Sequence, residues 1–264
     1  MNCGSQLPRT PFLGISPTAP VLKNAKSCQV RSIALVTTLI GVSLSLSGGQ
    51  ASVNAPCPQG PHTLYSKRAV PFGGNRQTIN SPDGRKALTI NFASDQKDAE
   101  ETHLIFSVHV GNKSFSERLL GFNAEVLWSP DSSAFAVTQT EGGGGIGYRV
   151  YVFYVNETGL RKVVVSDVVE KAFGTTVKCE VPVPPNTGFV DWLGNRADRM
   201  IIAAEVVPVS ICECSGTFKL YELTLPEVRV ERTYSQTEAV NRFGNLLGCE
   251  LRDANTGCGT NGQK

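Results

Sequence analysis

The tripeptide Ser-Pro-Asp occurs at residues 81–83 and again at 129–131, 48 residues later, and each copy opens onto an alternating apolar run. Residues 81–92 read SPDGRKALTINF and residues 128–139 read WSPDSSAFAVTQ. A repeat of this period marks a supersecondary unit that cannot bury its apolar face alone and stacks on its neighbours. Pro82 and Pro130 preset φ for a tight turn. Asp83 and Asp131 can accept from turn amides, and Gly84 tolerates positive φ. After the first turn Leu88, Ile90 and Phe92 alternate with Ala87, Thr89 and Asn91; after the second, Phe135 and Val137 alternate with Ala134, Ala136 and Thr138.

Further strands follow each turn. His103–Val110 and Ser114–Leu120 flank Gly111-Asn112-Lys113, and Tyr148–Val155 and Lys162–Val165 flank Asn156-Glu157-Thr158-Gly159, two hairpin-like spacings. Each unit therefore holds about four antiparallel strands, the strand number of a β-propeller blade. A degraded third copy starts at Phe189-Val190-Asp191-Trp192, resumes at Met200–Val206, and continues through Thr217–Leu225 and Val228–Thr233. Ser235-x-x-Glu238 is a capping box, so Ala239, Val240, Phe243 and Leu247 are expected on a short helix that covers a strand edge and stops at Gly248. A second short helix is expected from Ser166 or Asp167 to Phe173, ending at Gly174.

The motifs WSPDS and SPDGR resemble the blade motif of TolB-type, WD40-like and dipeptidyl-peptidase-type β-propellers over residues 79 to about 233. The resemblance implies an all-β, propeller-like stack of about three four-stranded antiparallel blades with one or two short helices. Closed propellers have about four to eight blades, so an incomplete ring is expected, with edges covered by loops, helices or another chain. The fold hosts binding platforms, assembly factors and enzyme accessory domains alike, so it implies no single activity.

Residues Ile33–Leu46 form an uncharged apolar run preceded by Lys26 and Arg31 and followed by SGGQAS, the layout of a secretory signal peptide. Its length of about 14 residues is short of the roughly 20 needed to span a bilayer. Cleavage is expected after Ala51, with an uncleaved anchor formed by residues 33–46 as the alternative. Residues 1–29 read either as a cytoplasmic tail or as sequence upstream of a GTG start at Val30. The expected organisation is a tail and signal segment over 1–51, an irregular lead-in over 52–78, and the propeller-like domain over 79–264. The domain is thus placed in the periplasm or outside the cell. Four of the 25 bases, Arg9, Lys23, Lys26 and Arg31, lie in the first 50 residues, where there is no acid; residues 51–264 carry 21 bases against 23 acids. That balance offers nucleic acid no electrostatic footprint.

Of eight cysteines, Cys57, Cys179, Cys212, Cys214, Cys249 and Cys258 fall in the exported part, where disulfides are expected. Cys249 and Cys258 bracket the polar loop ELRDANTG and are the favoured pair, closing the C-terminal segment; Cys179 is in reach of Cys212 or Cys214, and Cys57 needs a distant partner. No metal site is expected, because Cys212-Glu-Cys214 is too tight for zinc and lacks histidine at ligand spacing. His103 and His109 fall on one strand face about 20 Å apart and cannot share an ion.

No cofactor motif and no Gly-x-Ser-x-Gly elbow occurs. Glu141, Gly143, Gly145, Tyr148 and Arg149 belong to a Gly-rich hairpin tip and are the candidate binding residues, together with the Pro-rich segment 181–188. Asn112 and Asn156 head glycosylation sequons. Two function classes follow. One is an exported, non-catalytic binding or assembly module contacting another exported or envelope protein, or forming an oligomer. The other is an exported, hydrolase-like enzyme whose site is assembled from scattered loop residues.

Overall fold

The computed structural model describes residues 63–93, 102–140, 147–177, 184–206 and 216–253, all within the compact unit Gln50–Lys264. In chain order these form β1 (Val70–Phe72), β2 (Gln77–Asn80), β3 (Lys86–Phe92), β4 (His103–Val110), β5 (Lys113–Leu120), β6 (Asn123–Trp128), β7 (Ala134–Thr140), β8 (Tyr148–Asn156) and β9 (Gly159–Val164). Then come α1 (Ser166–Thr176), β10 (Asn186–Trp192), β11 (Arg199–Glu205), β12 (Phe218–Thr224), β13 (Arg229–Tyr234), α2 (Gln236–Phe243) and α3 (Cys249–Asp253). The fold is mostly β, in three antiparallel sheets ordered β2-β3-β4-β5, β1-β6-β7-β8-β9 and β10-β11-β12-β13.

The Ser-Pro-Asp repeat holds at atomic detail. In the first turn Ser81 N–H donates to the Lys86 carbonyl (2.9 Å), Gly84 N–H to the Ser81 carbonyl (2.9 Å), and Ser81 Oγ to Asp83 Oδ1 (2.6 Å). The second turn repeats each bond: Ser129 N–H to Ala134 (2.8 Å), Ser132 N–H to Ser129 (2.9 Å), and Ser129 Oγ to Asp131 Oδ1 (2.7 Å). Gly84 has φ 69° and its counterpart Ser132 has φ 58°, left-handed backbone that a serine adopts only at a cost. The third turn keeps the closing bond, Leu193 N–H to Arg199 (2.9 Å), and puts its left-handed residue at Gly194. Asp191 is not the counterpart of Asp83 and Asp131: it precedes that turn, is buried, and pairs with Arg68 at 2.9 Å.

The sheets stack face to face because β7 and β11 are buried on both sides. Phe135 and Val137 face Leu88, Ile90, Phe106 and Val108 of the first sheet; Ala134 and Ala136 face Phe189, Met200 and Ile202 of the third. One contact recurs across both seams. Trp128 Nε1 donates to the Ile79 carbonyl (3.2 Å), and Trp192 Nε1 donates to the Leu127 carbonyl (3.3 Å), each reaching back to the corresponding strand of the preceding sheet. The indole is thus buried with its one donor satisfied, and the same bond recurs at both seams.

The two ends of the stack differ. The outer face of the third sheet is apolar, and α2, α3 and Tyr65 cover Val190, Ile201, Ala203, Phe218 and Leu220. The outer face of the first sheet carries Thr78, Thr89, Ser107 and Ser116 in one row across its strands and is polar. Apart from Ala87 and Ile105 this face has no apolar surface to bury against a further sheet, so the described stack ends there.

Several expectations shift in detail. The capping box is present, with Ser235 N–H donating to Glu238 Oε2 (2.8 Å) and Glu238 N–H to Ser235 Oγ (3.4 Å), but α2 covers a sheet face, not an edge, since Ala239 and Phe243 complete the outer apolar cluster. Helix α2 ends at Phe243, so Gly248 does not stop it. Gly248 instead allows the chain to approach Leu64, whose carbonyl would lie 2.2 Å from a Cβ there. Helix α1 runs past Gly174 to Thr176, where the Thr175 and Thr176 hydroxyls bond back to the Ala172 and Phe173 carbonyls (2.7 and 3.0 Å). Strand β1 and the start of β2 fall within residues 52–78.

Candidate functional site

Loop length separates the two ends of the strands. The connections β2–β3, β6–β7 and β10–β11 are the compact turns just described, and β4–β5 and β8–β9 are the two-residue tips 111–112 and 157–158. In an antiparallel meander these all lie at one end. The longer connections, residues 93–102, 141–147 and 206–217, and the α1-bearing connection 165–185, all leave from the other. Loops carry recognition because their sequence is freed from the strand period while a rigid scaffold positions their ends.

The described residues at the roots of these loops form a closed hydrogen-bonded floor. Asn186, buried at the start of β10, accepts through Oδ1 from Gly147 N–H (2.8 Å) and Tyr148 N–H (3.2 Å). Thr187 Oγ1 donates to the Tyr148 carbonyl (3.0 Å) and lies 2.6 Å from Ser166 Oγ, which accepts from Val150 N–H (2.7 Å). The roots of the 141–147 loop, of α1 and of β10 are therefore locked together.

A strap formed by residues 63–69 runs beneath them. Glu125 accepts from the N–H groups of Leu64, of Tyr65 (3.2 Å) and of Ser66 (3.4 Å), a carboxyl held by three consecutive amides. Tyr65 Oη donates to Glu205 Oε1 at 2.6 Å. The Tyr65 ring packs edge-on to Tyr148, centroids 5.4 Å apart, and lies so close to Gly188 that a Cβ there would meet Tyr65 Cγ at 1.9 Å. On its far side the strap pairs with residues 246–250: Lys67 N–H to Leu246, Gly248 N–H to Tyr65, Cys249 N–H to Thr63 and Glu250 N–H to Leu64 (2.8, 2.8, 3.2 and 3.1 Å).

Burial dominates the electrostatics here. It pushes both the Glu125 and Glu205 carboxyls up to about 7, although the amides of residues 64–66 oppose the shift at Glu125 and the Tyr65 hydroxyl opposes it at Glu205. Burial, reinforced by the nearby carboxylates of Glu125, Glu250 and Glu205, pushes the Tyr148 phenol up to about 12. Glu205 Oε2 has no hydrogen-bond partner among the described residues. These groups hold the strap in place.

Of the sequence-derived binding residues, Tyr148 and Arg149 begin β8 at the loop-bearing end. Tyr148 is half-buried against the strap, and the Arg149 guanidinium pairs with the Asp167 carboxylate in the first turn of α1. Glu141, Gly143 and Gly145 lie outside the described residues, as do Cys57, Cys179, Cys212, Cys214 and Cys258. Cys249 opens α3. Asn112 and Asn156 sit at adjacent tips of the opposite end, where Lys113 Nζ donates to the Glu157 carbonyl (2.8 Å). Among the described residues no group of His, Cys, Asp and Glu is arranged to hold a metal ion, and no helix is long and apolar enough to cross a membrane. Sequence reasoning missed Tyr65, Glu125, Glu205 and Gly188, whose roles arise only when residues more than 50 positions apart meet. No known family, curated protein or solved structure matches this chain.

Proposed function

We propose that this chain is an exported, non-catalytic binding or assembly module, built as three blades of a TolB-type, WD40-like propeller whose ring stays open, and that it holds another exported or envelope protein with its long loops. The observation that carries this reading is the segregation of loop length: every long connection leaves one end of the stack, and the roots of the loop at 141–147 are locked to β10 and α1. The edges at β5, β9 and β13 are poor alternatives, because these strands carry Lys113, Glu117, Arg118, Arg161, Lys162, Arg229, Glu231 and Arg232, and charged edges resist strand addition. Export rests on the signal-like segment at 33–46.

Native mass measurement on the chain recovered from its own cells tests the reading. A stoichiometric partner is expected, lost when residues 141–146 are replaced by a Gly-Ser linker and retained when Arg161 and Lys162 are changed to Ser. Retention in the loop variant, or loss in the edge variant, contradicts it. The hydrolase-like reading is favoured by one feature, two near-neutral buried carboxyls below the loops. It predicts substrate turnover by the monomer that Glu205→Gln abolishes.

A further inference from the structure

The polar outer face of the first sheet carries a surface that the loop-end reading does not use. Register places Thr78, Thr89, Ser107 and Ser116 side by side across all four strands, with the Thr78 and Thr89 hydroxyls 3.1 Å apart and those of Ser107 and Ser116 2.9 Å apart. The neighbouring row brings His109 and Ser114 together. Arg76, Thr89, Asn91, Ser107, His109 and Ser114 line a depression of about 300 Å³ there, at the small end of ligand-pocket volumes.

The chemistry of this lining is specific in two respects. It holds the Arg76 guanidinium and no carboxylate, so its charge complements an anion. Its other groups, three hydroxyls, a carboxamide and an imidazole, each donate and accept, and a hydroxyl paired once keeps further capacity. Inorganic phosphate carries only one or two O–H donors near neutral pH and would leave most of the acceptor half of the surface unused. A neutral sugar would leave Arg76 without a counter-charge. We propose that this depression binds a uronic acid, the sugar carboxylate on Arg76 and the ring hydroxyls on Asn91, Thr89, Ser107, His109 and Ser114.

Titration calorimetry of the purified exported chain with sodium glucuronate and sodium galacturonate tests this, with glucose and inorganic phosphate as comparisons. At least one uronate is expected to bind saturably, at least tenfold more tightly than glucose or phosphate. Arg76→Gln, at an exposed residue, is expected to weaken that binding at least tenfold with the melting temperature unchanged, and Ser107→Ala to weaken it also. Absence of saturable uronate binding, equal binding of phosphate, or undiminished affinity in Arg76→Gln overturns the proposal. None of these outcomes bears on the partner held by the long loops, which the loop variant at 141–146 reads separately.

Discussion

Ser132 Oγ accepts a hydrogen bond from the backbone N–H of Asp83 at 3.0 Å, tying the turn of the second sheet to the turn of the first. The same residue offers its carbonyl to Lys86 Nζ (2.9 Å), and Asp131 in turn accepts through Oδ2 from Ala197 N–H of the third turn (3.4 Å). The three repeats are thus joined at their tight-turn ends as well as through their tryptophans.

Ser132 combines a useful hydroxyl with an unfavourable backbone. Ser132→Ala removes the bond to Asp83 and keeps the left-handed strain, so it should cost about 1 kcal/mol. Ser132→Gly removes the same bond but relieves strain of about 1 kcal/mol or more. Urea denaturation should therefore rank wild type near Ser132→Gly and above Ser132→Ala. If the alanine variant is the more stable of the two, left-handed strain at residue 132 is refuted.

The contact between Gly188 and Tyr65 leaves no room for a side chain. Gly188→Ala must displace the Tyr65 ring and break its bond to Glu205, costing about 3 kcal/mol as overpacking with a lost buried hydrogen bond. In a double-mutant cycle with Tyr65→Ala the second substitution should cost much less than it does alone. Additive losses would show that the strap is not seated on Gly188.

Glu125 and Glu205 titrate near 7 in the folded chain and, in the unfolded chain, near the ordinary carboxylate value of 4.5. The native state therefore binds more protons than the unfolded state between those limits, and stability falls as pH rises from about 4.5 to about 7, then levels. The carboxyls with lowered values work in the opposite sense and at lower pH; the strongest is Asp83, brought down to about 2 by the Ser81 hydroxyl. Denaturation midpoints measured from pH 5 to pH 8 should fall, and Glu205→Gln, which keeps an oxygen for Tyr65, should flatten the slope. A midpoint that rises over this interval contradicts the burial of the pair.

The repeat was legible in the sequence because the turn chemistry and the strand alternation are local. Ser81, Asp83 and Gly84 act within six residues, and β7 and β11 read as apolar runs since both their faces are covered. The capping box at Ser235 is equally local. Strand β2 was not legible: Gln77, Thr78 and Asn80 give it little apolar pattern, because one of its faces meets water. The strap has no period at all. Its meaning lies in partners 60 and 140 residues away, as do the depression on the first sheet and the exchange of an edge-covering role for a face-covering one in α2. The Gly-rich tip at 141–146 signalled a loop, and only the topology puts the strand ends that flank it, Thr140 and Tyr148, at the same end as those of the other long connections.

The capped end of the stack makes a separate prediction. Ser235→Ala removes one half of the capping box and should cost about 1 kcal/mol. Because Ala239 and Phe243 cover the third sheet, the loss should appear as faster hydrogen exchange in β12 and β13 and not in β3 or β4. Uniform acceleration would mean that α2 does not act as a local cap.

Hydrogen exchange on the exported chain, free and in its stoichiometric complex, tests the central claim most directly. Protection is predicted at residues 147–150 and 184–188 and in the loops they flank, with β5, β9 and β13 unchanged. Protection gained along those three edge strands, with none at the loop roots, would contradict recognition through the long-loop end.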